Sequence, residues 1–185
     1  MNTLRINFDK KLKMHEACAN DELRPVMSHI YFENGFAYAA DGYILVKNKL
    51  EECSTIEPEQ ISLLNNKLLH RDHYKDILKY DVIEISDEGI EARKGTEKVF
   101  FYFASDSTLK YPDAERLLQN TLNRQNVDTS RIGFNLGFLD RLRKSLHESD
   151  KCEFRFKGDY TSTTVILEST SESASIGLIM PVILN

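Results

Sequence analysis

The fold is decided by residues 29–47, which read HIYFENGFAYAADGYILVK. Two short turns, Asn34-Gly35 and Asp41-Gly42, interrupt segments in which apolar residues alternate with others. Asn-Gly and Asp-Gly turns between such segments are the strongest short-range signals for a β-hairpin, because these residues tolerate a positive φ. The predicted strands cover His29–Glu33, Phe36–Ala40 and Tyr43–Lys47.

A similar arrangement occurs twice more along the chain. In each copy an amphipathic helix with basic residues precedes strands joined by tight turns, and the predicted helices begin about 61 and 66 residues apart. Such a period indicates a repeated βαβββ unit, so we predict an α+β fold with three units. The helices are predicted over Lys10–Ala19 with Asp9 as N-cap, Arg71–Tyr80, and Leu136–His147 with Asn135 as N-cap; the other strands are predicted over Val82–Ser86, Ile90–Arg93, Lys98–Ala104, Cys152–Phe156, Thr163–Glu168 and the C-terminal tail.

Polar residues separate the repeats at two places. Residues 106–130 are polar and contain Pro112, which predicts a connector that includes a short helix over Asp113–Leu122. A weaker boundary is expected over Glu51–Gln60, which holds several acidic residues. The predicted division is 1–118 with two repeats, a linker over 119–130, and 131–185 with the third repeat and the tail.

The composition is typical of a soluble globular protein, with 41% hydrophobic and 29% charged residues. The cysteines Cys18, Cys53 and Cys152 are odd in number and form no C-x-x-C pair, which argues against a disulfide framework or a zinc site. The N-terminus has no apolar segment of the signal-peptide kind. We therefore expect a cytoplasmic protein without a membrane role.

Charge is distributed unevenly along the chain. The formal net charge is −5, yet the three predicted helices together carry +5, which leaves −10 for the remainder. On the second helix Arg71, Lys75 and Lys79 follow at i, i+4 and i+8 and form one stripe. Two interpretations stay open. The helices either present a surface to a polyanion or carry ordinary solvated basic faces.

The C-terminal tail reads SIGLIMPVIL over residues 175–184. It is too short to cross a bilayer, which needs about 20 residues. Its β-branched residues suit a buried strand, whereas Pro181 cannot donate to a sheet ladder and belongs at a strand end or an edge. The tail is therefore either a strand of the core or, near the proline, an exposed docking surface.

Several phrases of the sequence occur together in one known family. These are IGFNLGFLDRL over Ile132–Leu142, followed by Glu153–Phe156 and the LIMPVIL ending; the Leu23–Leu45 segment, with its Asp41–Leu45 turn; and Tyr111–Arg116. They resemble, in the family's order, phrases of the bacterial sliding clamp, the β subunit of DNA polymerase III. The turn is similar to the family's Asp-x-His-Arg-Leu phrase and Tyr111–Arg116 to its Phe-Pro-Asp-Tyr-Glu-Arg connector. The resemblance covers roughly residues 4–47, 67–118 and 130–184.

The resemblance implies a DNA-clamp fold, with basic helices on one face of antiparallel sheets. It implies a homo-oligomeric processivity factor that associates with double-stranded DNA irrespective of sequence, has no catalytic activity and needs no cofactor. DNA polymerases or repair proteins would bind through short peptides in an apolar groove beside the tail. The implied DNA-binding residues are Lys10, Lys13, Arg71, Lys75, Lys79, Arg141 and Lys144, and the implied groove residues are Gly42, Tyr43, Ile44, Leu45, Met180, Pro181, Val182, Ile183 and Leu184.

The sequence also departs from the family's pattern. It holds three repeats where a bacterial clamp has six, so a ring of twelve would need four chains. Ile44 and Ile183 stand where the family usually has arginine, and Gln119 stands where its connector tends to have proline. The isoleucines predict an altered peptide preference, and the missing repeats allow an alternative function, a clamp-derived adaptor or competitor that binds peptides without encircling DNA.

An enzymatic function has little support in the sequence. His70-x-x-His73 could place two metal ligands on one helix face, but no third ligand follows at a useful spacing. Asp41 precedes Gly42 and suits a turn better than acid catalysis. The chain contains no glycine-rich phosphate loop, no G-x-S-x-G and no H-E-x-x-H. We therefore predict neither a catalytic site nor a metal site.

Overall fold

The computed structural model describes residues 5–20, 23–128, 131–147, 151–158, 163–169 and 173–182. Its strands form two antiparallel sheets. In spatial order the seven-stranded sheet consists of β4 (Lys67–His70), β1 (His29–Glu33), β2 (Phe36–Ala40), β3 (Ile44–Lys49), β10 (Ile176–Ile179), β9 (Thr163–Ser169) and β8 (Cys152–Gly158). The three-stranded sheet consists of β5 (Val82–Ile85), β6 (Gly89–Lys94) and β7 (Glu97–Tyr102).

The helices are short and join or cover the strands. They are α1 (Leu50–Cys53), α2 (Pro58–Leu63), α3 (Arg71–Ile77), α4 (Ala114–Leu122) and α5 (Leu136–Ser145), and single 3-10 turns cover Met14–Glu16 and Pro25–Ser28. Within the described residues, none of the helices has the length and apolar character needed to cross a membrane.

The hairpin predicted from residues 29–47 is confirmed. Asn34 and Gly35 both have a positive φ, 50° and 78°, as a tight hairpin turn requires. The second turn is wider than predicted, and β3 begins one residue later. There the Asp41 carboxylate accepts the N–H groups of Tyr43 and Ile44 at 2.7 and 2.9 Å, which closes a short loop before the strand.

The helix predicted over Lys10–Ala19 is wrong. The Asp9 carboxylate accepts the Lys11 N–H at 2.9 Å, so it closes a turn and does not cap a helix. The Lys13 N–H donates to the carbonyl of Lys144 at 2.8 Å, in the last turn of α5. Because this amide is used in a tertiary contact, only the 3-10 turn at Met14–Glu16 forms, and the described residues before β1 contain no α-helix.

The other helix predictions are confirmed to within a few residues. Asn135 caps α5 by accepting the Gly137 N–H at 2.8 Å, and Asp113 caps α4 by accepting the Arg116 N–H at 2.9 Å. Helix α4 extends to Leu122, so the first residues of the predicted linker over 119–130 are helical. The expected boundary over Glu51–Gln60 contains the end of α1 and the start of α2, which the sequence did not predict.

The tail begins as a buried strand and ends on exposed residues. Ile176–Ile179 is a fully buried strand that pairs with β3 on one side and β9 on the other. Helix α5 packs directly on it, since a Cβ on Gly177 would lie 3.2 Å from a methyl group of Leu142. Beyond the strand Met180 and Val182 are exposed. The last three residues lie outside the described part of the chain.

Candidate functional sites: an apolar groove and a basic cleft

An apolar groove of about 330 Å³ opens where β3, α4 and the end of β10 meet. Leu45 and Leu178 form its buried floor and are paired across the β3–β10 ladder. Tyr43, Leu117 and Met180 form an exposed rim, with 53%, 48% and 48% of their surfaces accessible. The lining residues are Met27, Ala40, Gly42, Tyr43, Ile44, Leu45, Tyr111, Pro112, Ala114, Leu117, Thr121, Arg124, Leu178 and Met180.

The rim of the groove is held by backbone and aromatic contacts. The Met180 N–H donates to the Tyr43 carbonyl at 2.9 Å, which fixes the tail against the start of β3. The Tyr43 ring stacks on Phe138 of α5 at 4.9 Å between centroids. The Val182 N–H donates to the Gly133 carbonyl at 2.9 Å, so the exposed end of the tail keeps a defined path. A preformed apolar groove with a few polar groups is the usual form of a ligand site.

The loop that begins the groove is held by two arginines. The Arg141 guanidinium of α5 donates to the Asp41 carboxylate at 2.6 Å. Arg24 donates to the Asp41 carbonyl at 3.0 Å. Gly42 has a φ of 96° and lies beneath Arg24, and an added Cβ would lie 2.0 Å from its guanidinium nitrogen, so the arginine would have to move away from the Asp41 carbonyl. The shape of the apolar groove therefore depends on the hydrogen bonds that the two arginines donate to Asp41.

A basic cleft of about 850 Å³ lies between residues 9–16 and the C-terminal ends of α3 and α5. Seven lysine and arginine side chains line it against two carboxylates, which corresponds to a formal charge of +5 with neutral histidines. Some of the cations are paired, Lys10 with Asp81, Lys79 with Asp76, and Lys144 with Asp140. The lining residues are Asp9, Lys10, Lys11, Leu12, Lys13, His15, Glu16, Lys75, Leu78, Lys79, Arg143, Lys144, Leu146 and His147.

The end of α5 is fixed within this cleft by a buried asparagine. The Asn48 amide of β3 donates to the Ser145 carbonyl at 2.9 Å and accepts the His147 N–H at 2.8 Å. The Lys13–Lys144 backbone bond then joins residues 9–16 to the same helix end. Cations at the C-terminal end of a helix are also favoured by its dipole. These contacts bring the lysines of residues 9–16 and of α5 onto one surface, to which α3 adds Lys75 and Lys79.

Solved structures identify the fold. The chain is similar to the sliding clamp of Bartonella birtlesii, DNA polymerase III subunit β in complex with griselimycin, with a TM-score of 0.64, 15% identity, and coverage of 95% of this chain and 64% of that chain. This chain has the fold of a bacterial sliding clamp. The C. crescentus clamp matches with a TM-score of 0.61 and 10% identity, and the match covers 97% of this chain and 66% of that chain. The Bacillus subtilis clamp matches with a TM-score of 0.57 and 13% identity, and the match covers 100% of this chain and 65% of that chain.

The sequence itself matches no protein-family model and no curated protein. The similarity to the sliding clamps therefore rests on three-dimensional structure, and it confirms the predicted clamp fold. The chain spans about two thirds of the length of the clamps that it matches. The division of the chain into domains and the roles of individual residues are not decided by this similarity.

The structure brings together five of the nine predicted groove residues. Gly42, Tyr43, Ile44, Leu45 and Met180 line the apolar groove. Pro181 and Val182 follow it without lining it, and Ile183 and Leu184 lie outside the described residues. The groove has a further wall formed by Tyr111, Pro112 and Leu117. The sequence does not predict this wall, although Tyr111–Arg116 resembles the family's connector. Its assignment needed the position of α4 over β3, which no local pattern specifies.

The predicted DNA-binding residues divide into two groups. Lys10, Lys13, Lys75, Lys79 and Lys144 lie together in the basic cleft, where the structure adds Lys11 and Arg143. Their binding role stays a prediction. Arg71 and Arg141 do not line the cleft.

The structure places Arg71 and Arg141 away from the cleft, and their guanidinium groups hold a loop. Arg71 donates to the carbonyl of Ala19 at 3.1 Å, and Arg141 donates to the carbonyls of Glu16 and Cys18 at 2.6 and 3.2 Å. With side-chain exposures of 19% and 27%, both arginines are largely buried. Their charges therefore face backbone carbonyls and Asp41 and do not line the cleft.

The described residues hold no group of three or more His, Cys, Asp or Glu side chains arranged to bind a metal ion. The His70 and His73 rings of the H-x-x-H pair lie 5.8 Å apart between centroids, and His29 approaches His70 to 5.1 Å. Burial lowers the pKa of both His29 and His70. His70 also caps α3, since its Nδ1 accepts the Asp72 N–H at 3.3 Å. These contacts give the histidines a structural role.

Proposed function

We propose that this protein is a sliding-clamp-like DNA polymerase processivity factor without catalytic activity. It associates with duplex DNA through the basic cleft and binds partner proteins through short peptides in the apolar groove. The observation that carries the proposal is the presence of both surfaces, separately built, on one chain with the clamp fold. The clamp similarity supports a processivity role in general, and the two surfaces support its finer parts.

The basic cleft suits the backbone of a duplex better than a small anion. Its cations come from three segments and line a wide, open cleft. Contacts of lysine with phosphate are independent of sequence and depend on salt, because each contact releases a condensed counterion. Lys11, Lys13 and Lys75 make no ion pair with any other residue within the described ranges, so they are the cations most available to DNA.

DNA binding is tested by fluorescence anisotropy on a duplex at several salt concentrations. The double variant K13E/K75E is expected to lower affinity at least tenfold and to reduce the slope of log K against log salt by about two. The matched control is K94E/K110E, which changes the net charge equally at two exposed lysines outside the cleft. Equal losses in both variants would show that net charge, and not the cleft, determines binding.

Encirclement is a separate question from affinity. A clamp on closed circular DNA is retained at high salt and released when the DNA is linearised, whereas a protein that only binds the backbone dissociates from both. We expect retention on the circle only. If the protein binds peptides but shows no association with DNA at low salt, the alternative function as a clamp-derived adaptor replaces the proposal.

The apolar groove suits a peptide with bulky apolar anchors. Its floor is made of Leu45 and Leu178, whereas the Ile44 side chain, almost fully buried, packs in the core on the opposite face of β3. Affinity in such grooves comes from a few apolar anchors that fill a desolvated pocket. We therefore propose a preference for apolar over polar anchor residues. A panel of peptides that differ only at the anchor, measured by fluorescence polarisation, tests this preference.

The rim of the groove provides the matched variants. L117A and M180A remove exposed side chains that line the groove and are expected to weaken peptide binding about tenfold with little loss of stability. L136A removes an exposed leucine outside the groove and should leave the affinity unchanged. Unchanged affinity in L117A and M180A would place the peptide elsewhere on the chain.

A further inference from the structure

Helix α4 lies between the apolar groove and a second cavity of about 330 Å³ on the same face of the seven-stranded sheet. Leu45 and Leu178 form the floor of the groove, and the next pair on that face of the β3–β10 ladder, Lys47 and Ile176, lines the second cavity. Residues two apart along a strand lie on the same face, so the two cavities are neighbours. The second cavity is lined by Lys47, Leu118, Gln119, Leu122, Ser173, Ala174, Ser175 and Ile176.

The two flanks of α4 line different cavities, because residues three, four or seven apart share one side of a helix. The groove is lined by Ala114, Leu117 and Thr121, and the second cavity by Leu118, Gln119 and Leu122. All nine residues of α4 are described, and only Ala114 and Leu118 among them are both apolar and buried. A helix of this length is not stable alone in water, so contacts with the sheet determine its position.

The carboxylate of Glu115 holds α4 on the flank away from the groove. Its Oε2 atom accepts the Tyr38 hydroxyl at 2.9 Å and the Lys47 ammonium at 2.7 Å. Its Oε1 atom accepts the side-chain amide of Gln119 at 2.9 Å. Tyr38 and Lys47 are paired across β2 and β3, and 14% of the Lys47 side chain is exposed. These four residues form the Glu115 cluster, which joins the helix to two strands through charge-assisted hydrogen bonds.

Gln119 allows this helix its last turn. It stands where the family's connector tends to have proline, whose ring would clash with the Glu115 carbonyl and whose missing N–H would interrupt the helix. With glutamine the helix continues to Leu122, which adds Thr121 to the lining of the groove and Leu122 to that of the second cavity. The Glu115 cluster and both flanks of α4 therefore depend on this departure from the family's pattern.

We propose that α4 is a movable wall of the apolar groove and that Glu115 is the positioning residue that sets the width of the groove. Glu115 does not line the groove, so it acts on a bound peptide only through α4. The second cavity gives the helix space to move away from the groove, and Leu117 moves with it. Release of the Glu115 cluster therefore widens the groove and admits larger anchor residues. The selection of anchors by size rests on the function proposed above, whereas the role of Glu115 in holding α4 does not.

Peptides that differ only in the size of the anchor residue test the width of the groove. Fluorescence polarisation gives the ratio of affinities for a tryptophan-anchored and a leucine-anchored peptide. E115A should raise this ratio about fivefold, and Y38F, which removes one hydrogen bond to the carboxylate, should raise it less. E115Q keeps an acceptor for Tyr38 and Lys47 and should retain the wild-type ratio. R116A changes an exposed side chain of the same helix outside both cavities and is the matched control.

A partial loss of folded protein would weaken both peptides equally and leave the ratio unchanged. The ratio therefore reports the position of α4 and not the stability of the protein. An unchanged ratio in E115A, or an equal change in R116A, would overturn the control of groove width by Glu115.

Hydrogen exchange tests the role of Glu115 in holding α4 without a peptide. The amides of residues 118–122 should exchange about tenfold faster in E115A than in the wild type, while those of α5 stay unchanged. E115Q and R116A should exchange like the wild type. Exchange at the wild-type rate in E115A would overturn the proposal. If the wild type binds neither peptide, the function proposed above fails, and faster exchange in E115A still establishes Glu115 as the residue that holds α4.

Discussion

The guanidinium of Arg141 and the carboxylate of Asp41 are joined at 2.6 Å, and this pair ties α5 to the turn where the apolar groove begins. Asp41 is nearly buried, at 8% side-chain exposure, and its other carboxylate oxygen accepts two backbone N–H groups of the same turn. The pair therefore stabilises the turn at which the groove begins. It contacts neither the groove floor nor the basic cleft.

Replacement of Arg141 is expected to damage the groove and spare DNA binding. R141M leaves the Asp41 carboxylate without its cation and should lower the free energy of unfolding by about 2–3 kcal/mol, measured by urea denaturation. Peptide affinity should fall as well. The control R143M removes an exposed cation of the same helix, which should cost at most about 0.5 kcal/mol but weaken DNA binding. Loss of DNA binding in R141M, together with loss of peptide affinity in R143M, would contradict the separation of the two sites.

Replacement of Gly42 tests the close approach of Arg24. G42A places a side chain at a positive φ and displaces the Arg24 guanidinium from the Asp41 carbonyl, so it should destabilise the protein by about 2 kcal/mol. G95A is the matched control, since Gly95 also has a positive φ of 58° but has open space around its Cβ position. It should cost only about 1 kcal/mol. Equal losses in thermal or urea unfolding would attribute the effect to backbone conformation alone.

Asn48 is expected to be essential for the basic cleft although it lies outside it. N48A removes both hydrogen bonds that hold the end of α5 and should lower the free energy of unfolding by about 3 kcal/mol. The exposed Asn123 provides a control, and N123A should be close to neutral. At a temperature where N48A remains folded, DNA affinity should also fall, because Lys144 and the attached residues 9–16 are no longer held.

Acid is expected to destabilise the protein through its histidines. Burial lowers the pKa of His29 and His70 below the ordinary value of 6.5, so the unfolded chain binds protons more readily. The stabilisation is therefore fully present above pH 6.5 and is lost as the pH falls below it. The variant H70N keeps a residue able to cap α3 and removes one titrating ring. Its unfolding free energy, measured by urea denaturation across pH, should fall less steeply than that of the wild type. An identical pH dependence would contradict this assignment.

Local signals predicted much of the fold. The strands β1 and β2 were predicted to the residue, α4 to within one residue, and α5 with its cap Asn135, because each signal acts within two or three residues of its effect. The helix over Lys10–Ala19 failed for the opposite reason. Its periodicity is helical, but the Lys13 amide bonds to Lys144, and no local pattern announces a partner so far along the chain.

By itself, the sequence determined the hairpins, the capped helices and the order of the clamp-like phrases, because turns and caps depend on neighbouring residues. Only the tertiary structure decided which basic side chains share a surface. It placed Lys13, Lys75 and Lys144 around one cleft and turned Arg71 and Arg141 towards the carbonyls of the loop before β1. All five are cations on basic segments. Arg71 and Arg141 differ from the three lysines because backbone carbonyls that need a donor lie beside them in the packed chain, and buried carbonyls have to be hydrogen-bonded.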